Sequence, residues 1–502
     1  MKLKYFVSNK EIMKIEILNE LLTSQKRIFM KDLTRKFDVS KNSILRYTAE
    51  LRDDLNLLFD DVKLLYSEDG NYLVTTNAKQ EHAYIVNRLK EHYITSSSLF
   101  LILMKIIGTN QSITQIAASL NFSPSTVYNK IAQLNELAKP YDIEISMVSD
   151  SRFKGNEFNV RYFIYRLLLF QHKTNKDNPF NSDALNDFLD ITNIHDNLLQ
   201  HKNLTSSEEM RVRMLQGISL YRIKRAHQVI PENEDFLKDI SFFNSSYFSL
   251  FSDSMIVSDK ERQRESLIFC FLLRTTIFEI ESESKKANIV ANYLNSGLKI
   301  ARDTEFILQK FSEFGNINFS PYTYNESYYL LLINLIYLKH INIDLSVFYE
   351  DDTLLNDIYK NASLEYVENK QRINTFLNDT SIIESITHFT NAELQQLTFV
   401  FQFIFDVNIK PKTLKVFVQF SKNIHTGPMI IHLLKTTFHP SALEIIKDPV
   451  NADLIISDTY EGDLFKADHF YFENTYNNSQ YQNLLIFVSH LIHENILTVK
   501  IK

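Results

Sequence analysis

Glycine is scarce in this sequence. Only 8 of the 502 residues are glycine and 9 are proline. The glycines lie too far apart to form either of the glycine-rich loops that cradle phosphate groups, G-x-G-x-x-G and G-x-x-x-x-G-K-[ST]. Glycine and proline disfavour helices more than any other residues. Their scarcity, together with long stretches rich in Leu, Ile, Phe, Lys and Glu, therefore indicates a mainly helical chain.

Cysteine is almost absent as well. The one cysteine, Cys270, excludes a disulfide framework and a cysteine-based zinc cluster, and such usage is typical of the reducing cytosol. The first 18 residues carry charges throughout and are not expected to act as a signal peptide. The longest apolar stretches, residues 99–107 and 328–338, are shorter than the roughly 18–20 residues that span a membrane. We therefore expect a cytoplasmic protein without a membrane partner.

Motifs of the common enzyme classes are also missing. The chain has no G-x-S-x-G, no H-E-x-x-H and no paired carboxylates in a catalytic context. Cys270 lies in the apolar run SLIFCFLL, which favours a core position over a catalytic one. His490 and His493 lie three residues apart, but no third metal ligand stands at a useful spacing. The sequence therefore predicts a protein that is not an enzyme and has neither a metal nor a cofactor.

The charge of the chain is unevenly distributed. The net charge is -7, yet the first 52 residues hold 12 Lys and Arg against 6 Asp and Glu, which leaves -13 for the other 450 residues. A basic end on an acidic chain suggests an anionic partner, although a solvated helical surface explains the charge equally well. A length of 502 residues predicts about three to five domains.

A winged helix-turn-helix pattern occupies this basic segment. Apolar residues recur at helical spacing over residues 11–24, and a short helix is predicted over residues 30–37. Ser40 is a natural N-cap for a third helix that runs to about residue 55. Strands are predicted over residues 62–66 and 71–75, around an Asp-Gly turn. Two helices joined by a short turn form the helix-turn-helix, and the hairpin forms the wing.

The same layout recurs 83 residues later. The second unit comprises predicted helices over residues 99–107 and 113–120, a Ser123-capped helix over residues 124–138, and a wing over residues 143–157. Pro124 stands at the first helical position, where proline is tolerated. Six positions match without a gap, namely Leu33 and Ile116, Phe37 and Leu120, Val39 and Phe122, Ser40 and Ser123, Ile44 and Val127, and Leu51 and Leu134.

Two such units in tandem favour double-stranded DNA as the partner. Side chains of the second helix contact base edges in the major groove, and cations contact phosphates. Helix-turn-helix units also serve as dimerisation or protein-docking modules, which is the alternative interpretation. The residues predicted to contact DNA are Lys31, Arg35, Lys36, Ser40, Lys41, Asn42, Ser43, Arg46 and Tyr47 in the first unit and Ser123, Ser125, Thr126, Tyr128, Asn129 and Lys130 in the second.

The rest of the chain changes in texture near residue 410. Residues 161–405 show helical patterns, which polar breaks divide near residue 287. Beyond residue 412, strands are predicted over residues 414–420, 443–446, 452–457 and 469–472, and helices over residues 427–437 and 481–492. Strands that alternate with helices over about 90 residues predict a small α/β domain with a parallel sheet.

Two histidines end strongly apolar or amphipathic helices. His227 ends the segment YRIKRAH, and His340 ends YYLLLINLIYLKH. A helix C-terminus favours the imidazolium form, so a capping role is one interpretation. Imidazole is also a good nucleophile at cytosolic pH, so a phosphoryl acceptor is the other. Spacing alone leaves both open.

The order of these segments resembles the Mga/AtxA-type virulence regulators of Gram-positive bacteria. The resemblance lies in FMKDLTRKFDVSKNSILRYTAELRDDL, in SITQIAASLNFSPSTVYNKIAQLNEL and in the following FKGNEFNVRYFIYRLL. ISLYRIKRAH resembles the first regulatory domain of that family, and VFVQFS, ADLIIS and FYFE resemble an enzyme IIB domain. The implied domains are winged helix-turn-helix units at residues 1–80 and 81–170, PRD-like helical domains at residues 171–287 and 288–408, and an enzyme IIB-like α/β domain at residues 409–502.

This resemblance implies a homodimeric transcription regulator that couples phosphotransferase-system sugar status to virulence or metabolic genes. PRDs are phosphorylated on histidine by phosphocarrier proteins, so the resemblance makes His227 and His340 the possible phosphohistidines, ahead of His172, His195 and His201. The loop after the first strand, SKNIHTG, lacks the phosphocysteine of enzyme IIB. This domain is therefore expected to serve in oligomerisation or sensing. The alternative function is a non-DNA-binding phosphotransferase-linked sensor or scaffold, or an RNA-binding antiterminator.

Overall fold

The structure is a computed structural model, and it divides the chain into two compact units. One unit comprises Met1–Glu281 with Ile336–Asp351, and the other comprises Ser282–Leu335 with Asp352–Lys502. The residues that the structure describes are 3–24, 27–67, 70–76, 82–148, 152–171, 205–226, 228–243, 258–277, 280–341, 343, 364–379, 382, 390–408, 412–421, 424–459, 466–472 and 477–497.

The first predicted winged helix-turn-helix is present in the first unit. Its elements are α1 (Asn9–Ser24), β1 (Ile28–Phe29), α2 (Met30–Phe37), α3 (Lys41–Leu58), β2 (Lys63–Tyr66) and β3 (Asn71–Thr75). Ser40 caps α3 as predicted, because its side chain accepts a hydrogen bond from the Ser43 amide at 3.2 Å. The strands form an antiparallel sheet in the order β1-β3-β2, in which Leu65 lies opposite Leu73.

The second predicted winged helix-turn-helix follows it. Its elements are α4 (His82–Ser96), α5 (Ser98–Gly108), α6 (Ile113–Ser119), α7 (Pro124–Ala138), β4 (Ile143–Ile145), β5 (Phe153–Gly155) and α8 (Glu157–Gln171). Ser112 and Gln115 form a capping box that starts α6. Ser123 caps α7 by accepting from the Thr126 amide at 3.1 Å. Helix α4 and the two-residue strand β1 are not among the elements predicted from the sequence.

The residues that match in the 83-residue repeat lie in the cores of the two winged helix-turn-helix units. Three of the matched pairs are completely buried, each at 0% exposure: Leu33 and Ile116, Ile44 and Val127, and Leu51 and Leu134. The repeat also extends to the turn between the two helices. Asp38 (φ 51°) and Asn121 (φ 56°), which lie 83 residues apart, both adopt the left-handed conformation. Asp and Asn tolerate that conformation better than most residues, so the turn chemistry agrees with the repeat.

Helices continue through the centre of the chain. Those in the first unit are α9 (Ser206–Ala226), α10 (Glu234–Asp239) and α11 (Asp259–Thr276). Those that follow are α12 (Glu283–Ser296), α13 (Lys299–Gly315), α14 (Pro321–His340), α15 (Leu364–Leu377) and α16 (Asn391–Asn408). The division between the two units falls within α14, after Leu335. Cys270 on α11 is fully buried, which confirms its interpretation as a core residue.

The C-terminal segment of the second unit is an α/β fold, as the alternating pattern predicts. Its elements are β6 (Leu414–Gln419), α17 (Thr426–Thr437), β7 (Leu443–Ile445), β8 (Leu454–Ser457), β9 (Asp468–Tyr471) and α18 (Asn478–Leu497). The four strands are parallel and lie in the order β7-β6-β8-β9. Val416 and Ile456 of the sheet share one apolar core with Leu434 of α17 and Leu484 of α18.

Candidate nucleic-acid interface

Helix α3 carries the first set of predicted DNA contacts. Lys41, Asn42 and Arg46 are exposed, and the Arg46 guanidinium lies 5.3 Å from the centre of the Tyr47 ring. Tyr47 is half-buried and supports this guanidinium by a cation–π contact. Ser43 is also half-buried, since its amide and hydroxyl both bind the capping hydroxyl of Ser40. The exposed side chains therefore follow the N-terminal half of the helix, where a major-groove reader needs them.

Helix α2 places cations beside α3. Lys31 is exposed with its Nζ 5.4 Å from the Phe29 ring, and the Arg35 side chain is 86% exposed. Lys36 forms an ion pair with Glu20 of α1. Exposed ion pairs contribute about 0–1 kcal/mol, so a phosphate can replace Glu20 at little cost. Lys31 and Arg35 are therefore accessible to solvent next to α3.

Helix α7 offers a mostly uncharged counterpart. The Ser123 hydroxyl lies 2.8 Å from both the Ser125 and the Thr126 hydroxyls, so the three form one cluster at the start of the helix. Tyr128 is 61% exposed, and Asn129 is exposed next to it. These side chains carry hydrogen-bond donors and acceptors of the kind that pair with base edges. Lys130 is half-buried and donates to Gln133 at 3.0 Å.

A partly buried ion pair fixes α3 against the helices on either side. Lys14 of α1 donates to Asp54 of α3 at 2.6 Å, and the Tyr93 hydroxyl of α4 donates to the same carboxylate. Lys14 is 5% exposed and Tyr93 is 3% exposed. Burial and the nearby carboxylate raise the pKa of Tyr93, which therefore stays protonated as a donor. The orientation of the exposed face of α3 is thus set by contacts on its opposite face.

The second wing is held by Arg152, which the sequence analysis does not name as a site residue. Its guanidinium donates to the Met147 carbonyl at 2.6 Å and to the Asn110 carbonyl at 3.0 Å. These bonds connect β5 with the wing tip and with the loop that precedes α6. Arg152 adopts a left-handed φ of 62°, which most residues disfavour. No local sequence signal marks this position, because its partner carbonyls belong to the backbone.

A network of buried charges attaches α8 to α9 and α11. Arg161 donates to Glu265 at 2.6 and 3.0 Å and to Glu157 at 3.0 Å, and Arg222 donates to Glu157 at 2.7 Å. All four side chains are at most 6% exposed. The guanidinium of Arg222 also lies 5.5 Å from the ring of Phe153 in β5. Helix α9 therefore contacts both the second wing and the helix that follows it.

His340, one of the two possible phosphohistidines, is hydrogen-bonded to the buried carboxylate of Asp239. Its Nε2 is 2.7 Å from Asp239 Oδ2, which also accepts from Lys339 at 2.6 Å. The His340 side chain is 6% exposed, and its ring lies 5.0 Å from that of Phe236. Burial raises the pKa of Asp239, but hydrogen bonds from His340 and Lys339 outweigh it and hold that pKa below its usual range. A phosphoryl group on Nε2 therefore requires this pair to open.

The remaining histidine predictions fall elsewhere. His227, His172, His195 and His201 lie outside the described residues.

Within the described residues, no helix has an apolar stretch long enough to cross a membrane. In those same ranges, no group of three or more His, Cys, Asp and Glu side chains is arranged to hold a metal ion.

One comparison with known protein families found a match. Residues 84–168 match the family model of the Mga helix-turn-helix domain. This range begins in α4 and ends in α8, so it covers the helix-turn-helix and the wing of the second winged helix-turn-helix unit. A search of curated proteins found no match to the chain. Residues 84–168 are therefore similar to the Mga helix-turn-helix domain, which supports a DNA-binding regulator.

Proposed function

We propose that this protein is a transcription regulator of the Mga type that binds duplex DNA through both winged helix-turn-helix units. The observation that carries the proposal is the repeat itself, in which two units with the same buried positions expose polar recognition helices. The second of these units has the Mga-type match. The protein acts as a regulator in the cytoplasm and catalyses no reaction of its own.

Titration of the full chain with fluorescent duplex DNA over a salt series tests this function. Each phosphate contact contributes about 0.9 to the log–log salt slope, so Lys31→Ala with Arg35→Ala should lower the slope by about 2. The matched control is Lys299→Ala with Lys310→Ala, at two lysines on α13 whose side chains are 66% and 43% exposed, and it should leave the slope unchanged. Absence of binding at low salt would contradict the proposal. Equal binding of an RNA hairpin would favour the antiterminator instead.

The proposal includes a homodimer in which residues 409–502 contribute contacts. Met429 on α17, Tyr471 on β9 and Ile486 on α18 are apolar or aromatic and 51%, 52% and 68% exposed. A second copy of the chain would cover such residues, and two-fold dimers suit paired DNA half-sites. Sedimentation velocity of a triple lysine variant at these positions should show monomer. Leu57→Lys, equally exposed on α3, is the control, and a triple variant as dimeric as wild type refutes this part.

The proposal also includes control by the sugar phosphotransferase system. It rests on the resemblance of ISLYRIKRAH, which ends at His227, to a PRD. Incubation with the general phosphotransferase proteins and phosphoenolpyruvate should add a phosphoryl group at His227, detected by mass spectrometry under conditions that preserve phosphohistidine. His227→Ala should lose this label. An unlabelled wild-type chain beside a labelled control substrate would remove the coupling and leave DNA binding intact.

A further inference from the structure

Both recognition helices expose a large side chain with apolar surface at the same position of the repeat. Leu45 on α3 is 38% exposed, and Tyr128 on α7, 83 residues later, is 61% exposed. Such residues on a monomer surface are common when they occur singly. Here an exposed, large side chain occupies the same position in both winged helix-turn-helix units, next to residues predicted to contact bases. This coincidence points to a shared contact surface.

The surrounding positions complete a matched face on each helix. Residues at spacings of three and four lie on one side of a helix. On α3 this face holds Asn42, Leu45, Arg46 and Ala49, and on α7 it holds Ser125, Tyr128, Asn129 and Ala132. All eight residues are exposed. The opposite faces are anchored by fully buried residues, Leu51 on α3 and Leu134 on α7 among them.

The chemistry of the two faces differs at one position. Arginine pairs with guanine O6 and N7 through two hydrogen bonds, and asparagine pairs with adenine N6 and N7. Arg46 occupies this position in the first unit, and Asn129 occupies the same position in the second. Apolar side chains contact the C5-methyl group of thymine. Leu45 and Ala49 expose apolar surface suited to such a contact beside Arg46, and Tyr128 and Ala132 expose it beside Asn129.

We propose that the two units read different base pairs: α3 reads a guanine adjacent to thymine, and α7 reads an adenine adjacent to thymine. The DNA target is thus bipartite, with one element that requires a G·C pair and one that consists of A·T pairs. This inference rests on the proposed DNA-binding function. Leu45, Ala49 and Ala132 join the predicted contacts as specificity-determining residues.

The distribution of charge supports a division of labour between the units. Helix α2 of the first unit carries Lys31, Arg35 and Lys36, whereas α6, its counterpart, has no charged residue. Phosphate contacts supply affinity without sequence information, and base contacts supply specificity. The first unit therefore provides most of the phosphate contacts, and the second discriminates chiefly by its base contacts.

Selection of the full chain against a random duplex library, followed by binding to the selected sequence and its single-base variants, tests the inference. A bidentate contact contributes about 1–3 kcal/mol of discrimination, or about 5- to 150-fold in affinity. Arg46→Ala should abolish the preference for guanine and keep that for adenine, and Asn129→Ala should do the reverse. Leu45→Ala should weaken the preference for the thymine methyl, measured against uracil.

Arg35→Ala serves as the matched control, because an arginine that contacts phosphate has no effect on sequence preference. It should weaken binding to all sequences equally and lower the salt slope by about 1. Binding without base preference, or a guanine preference that survives Arg46→Ala, would overturn this inference while DNA binding stands. Failure to bind any duplex at low salt would overturn both this inference and the proposed function.

Discussion

At the scale of single residues, most of the buried charges among the described residues lie at hydrogen-bond distance from an oppositely charged partner. The clearest case is Arg161, whose guanidinium is 2% exposed and contacts Glu157 and Glu265. Burial disfavours the charged form, but the two carboxylates outweigh that effect and raise the pKa of Arg161. A buried ion pair adds little net stability when it is complete, yet removing one partner is expensive. Such residues therefore fix how helices meet more than they stabilise them.

We expect Arg161→Met to destabilise the protein by about 3–5 kcal/mol, because it leaves Glu265 buried without its arginine. Urea denaturation followed by circular dichroism measures this loss. Adding Glu265→Gln should recover much of it, since glutamine still accepts from the Ile230 amide, now 2.7 Å from Glu265. Arg35→Ala, at a side chain 86% exposed, should change stability by less than about 0.5 kcal/mol. Equal losses in the single and the double variants would contradict this account.

The pair between Asp239 and His340 predicts a dependence of stability on pH. The folded pKa of Asp239 is lowered, so the protein gains stability from this carboxylate above its unfolded pKa of about 3.9. That contribution is lost as the pH falls through the depressed folded pKa. We therefore expect Asp239→Asn to lower the thermal midpoint at pH 7 and to approach wild type under acid. A difference in midpoint that is constant from pH 7 to pH 3 would exclude this mechanism.

At the scale of elements, the turn between the two helices of each helix-turn-helix depends on the conformation of a single residue. Asp38 and Asn121 provide the same left-handed residue in both units. A β-branched side chain in this conformation costs roughly 1–2 kcal/mol, because its Cβ approaches the following carbonyl oxygen. Glycine lacks that Cβ and adopts the conformation freely.

Substitutions at Asn121 should therefore separate conformation from side-chain contacts. Asn121→Val is expected to lose about 1–2 kcal/mol, while Asn121→Gly should stay within about 1 kcal/mol of wild type. Chemical denaturation of the two variants measures the difference. If glycine proves as costly as valine, the asparagine acts through its side chain and not through its backbone conformation.

At the scale of the whole molecule, the second helix-turn-helix unit depends on helices that come later in the chain. Arg161 of α8 pairs with Glu265, 104 residues away, and Arg222 of α9 pairs with Glu157. The Tyr221 hydroxyl of α9 also donates to the Ile107 carbonyl at the end of α5. The second winged helix-turn-helix and the central helices of the first compact unit thus share one set of buried polar contacts.

A fragment of residues 1–171 should consequently be less stable than the same region in the full chain. The fragment lacks Glu265, Arg222 and Tyr221, which contact Arg161, Glu157 and the Ile107 carbonyl in the full chain. Arg161 and the apolar side of α8 therefore become exposed to water. We expect a lower thermal midpoint and weaker DNA binding, measured on the fragment and the full chain under the same conditions. A fragment as stable and as active as the full chain would show that the network does not support the DNA-binding units.

Features that depend on neighbouring residues along the chain can be predicted from the sequence alone. Serine caps and apolar spacing predict the individual helices, because these signals act within one or two turns. The 83-residue repeat predicts the second helix-turn-helix unit, and the alternation of strands and helices predicts the parallel sheet, because both patterns are visible along the chain. The two-residue strand β1 was too short for such a pattern, since it exists only through its pairing with β3.

The contacts between distant side chains, in contrast, become visible only in the folded chain. Glu265 lies 104 residues from Arg161 and His340 lies 101 residues from Asp239, and no local pattern records these two pairs. The same holds for the Asn110 carbonyl that binds Arg152 from 42 residues away and for the contacts that orient α3. Capping and periodicity are short-range effects of the backbone, whereas these pairs form only when packing brings separate helices together and burial removes the water that would otherwise solvate each charge.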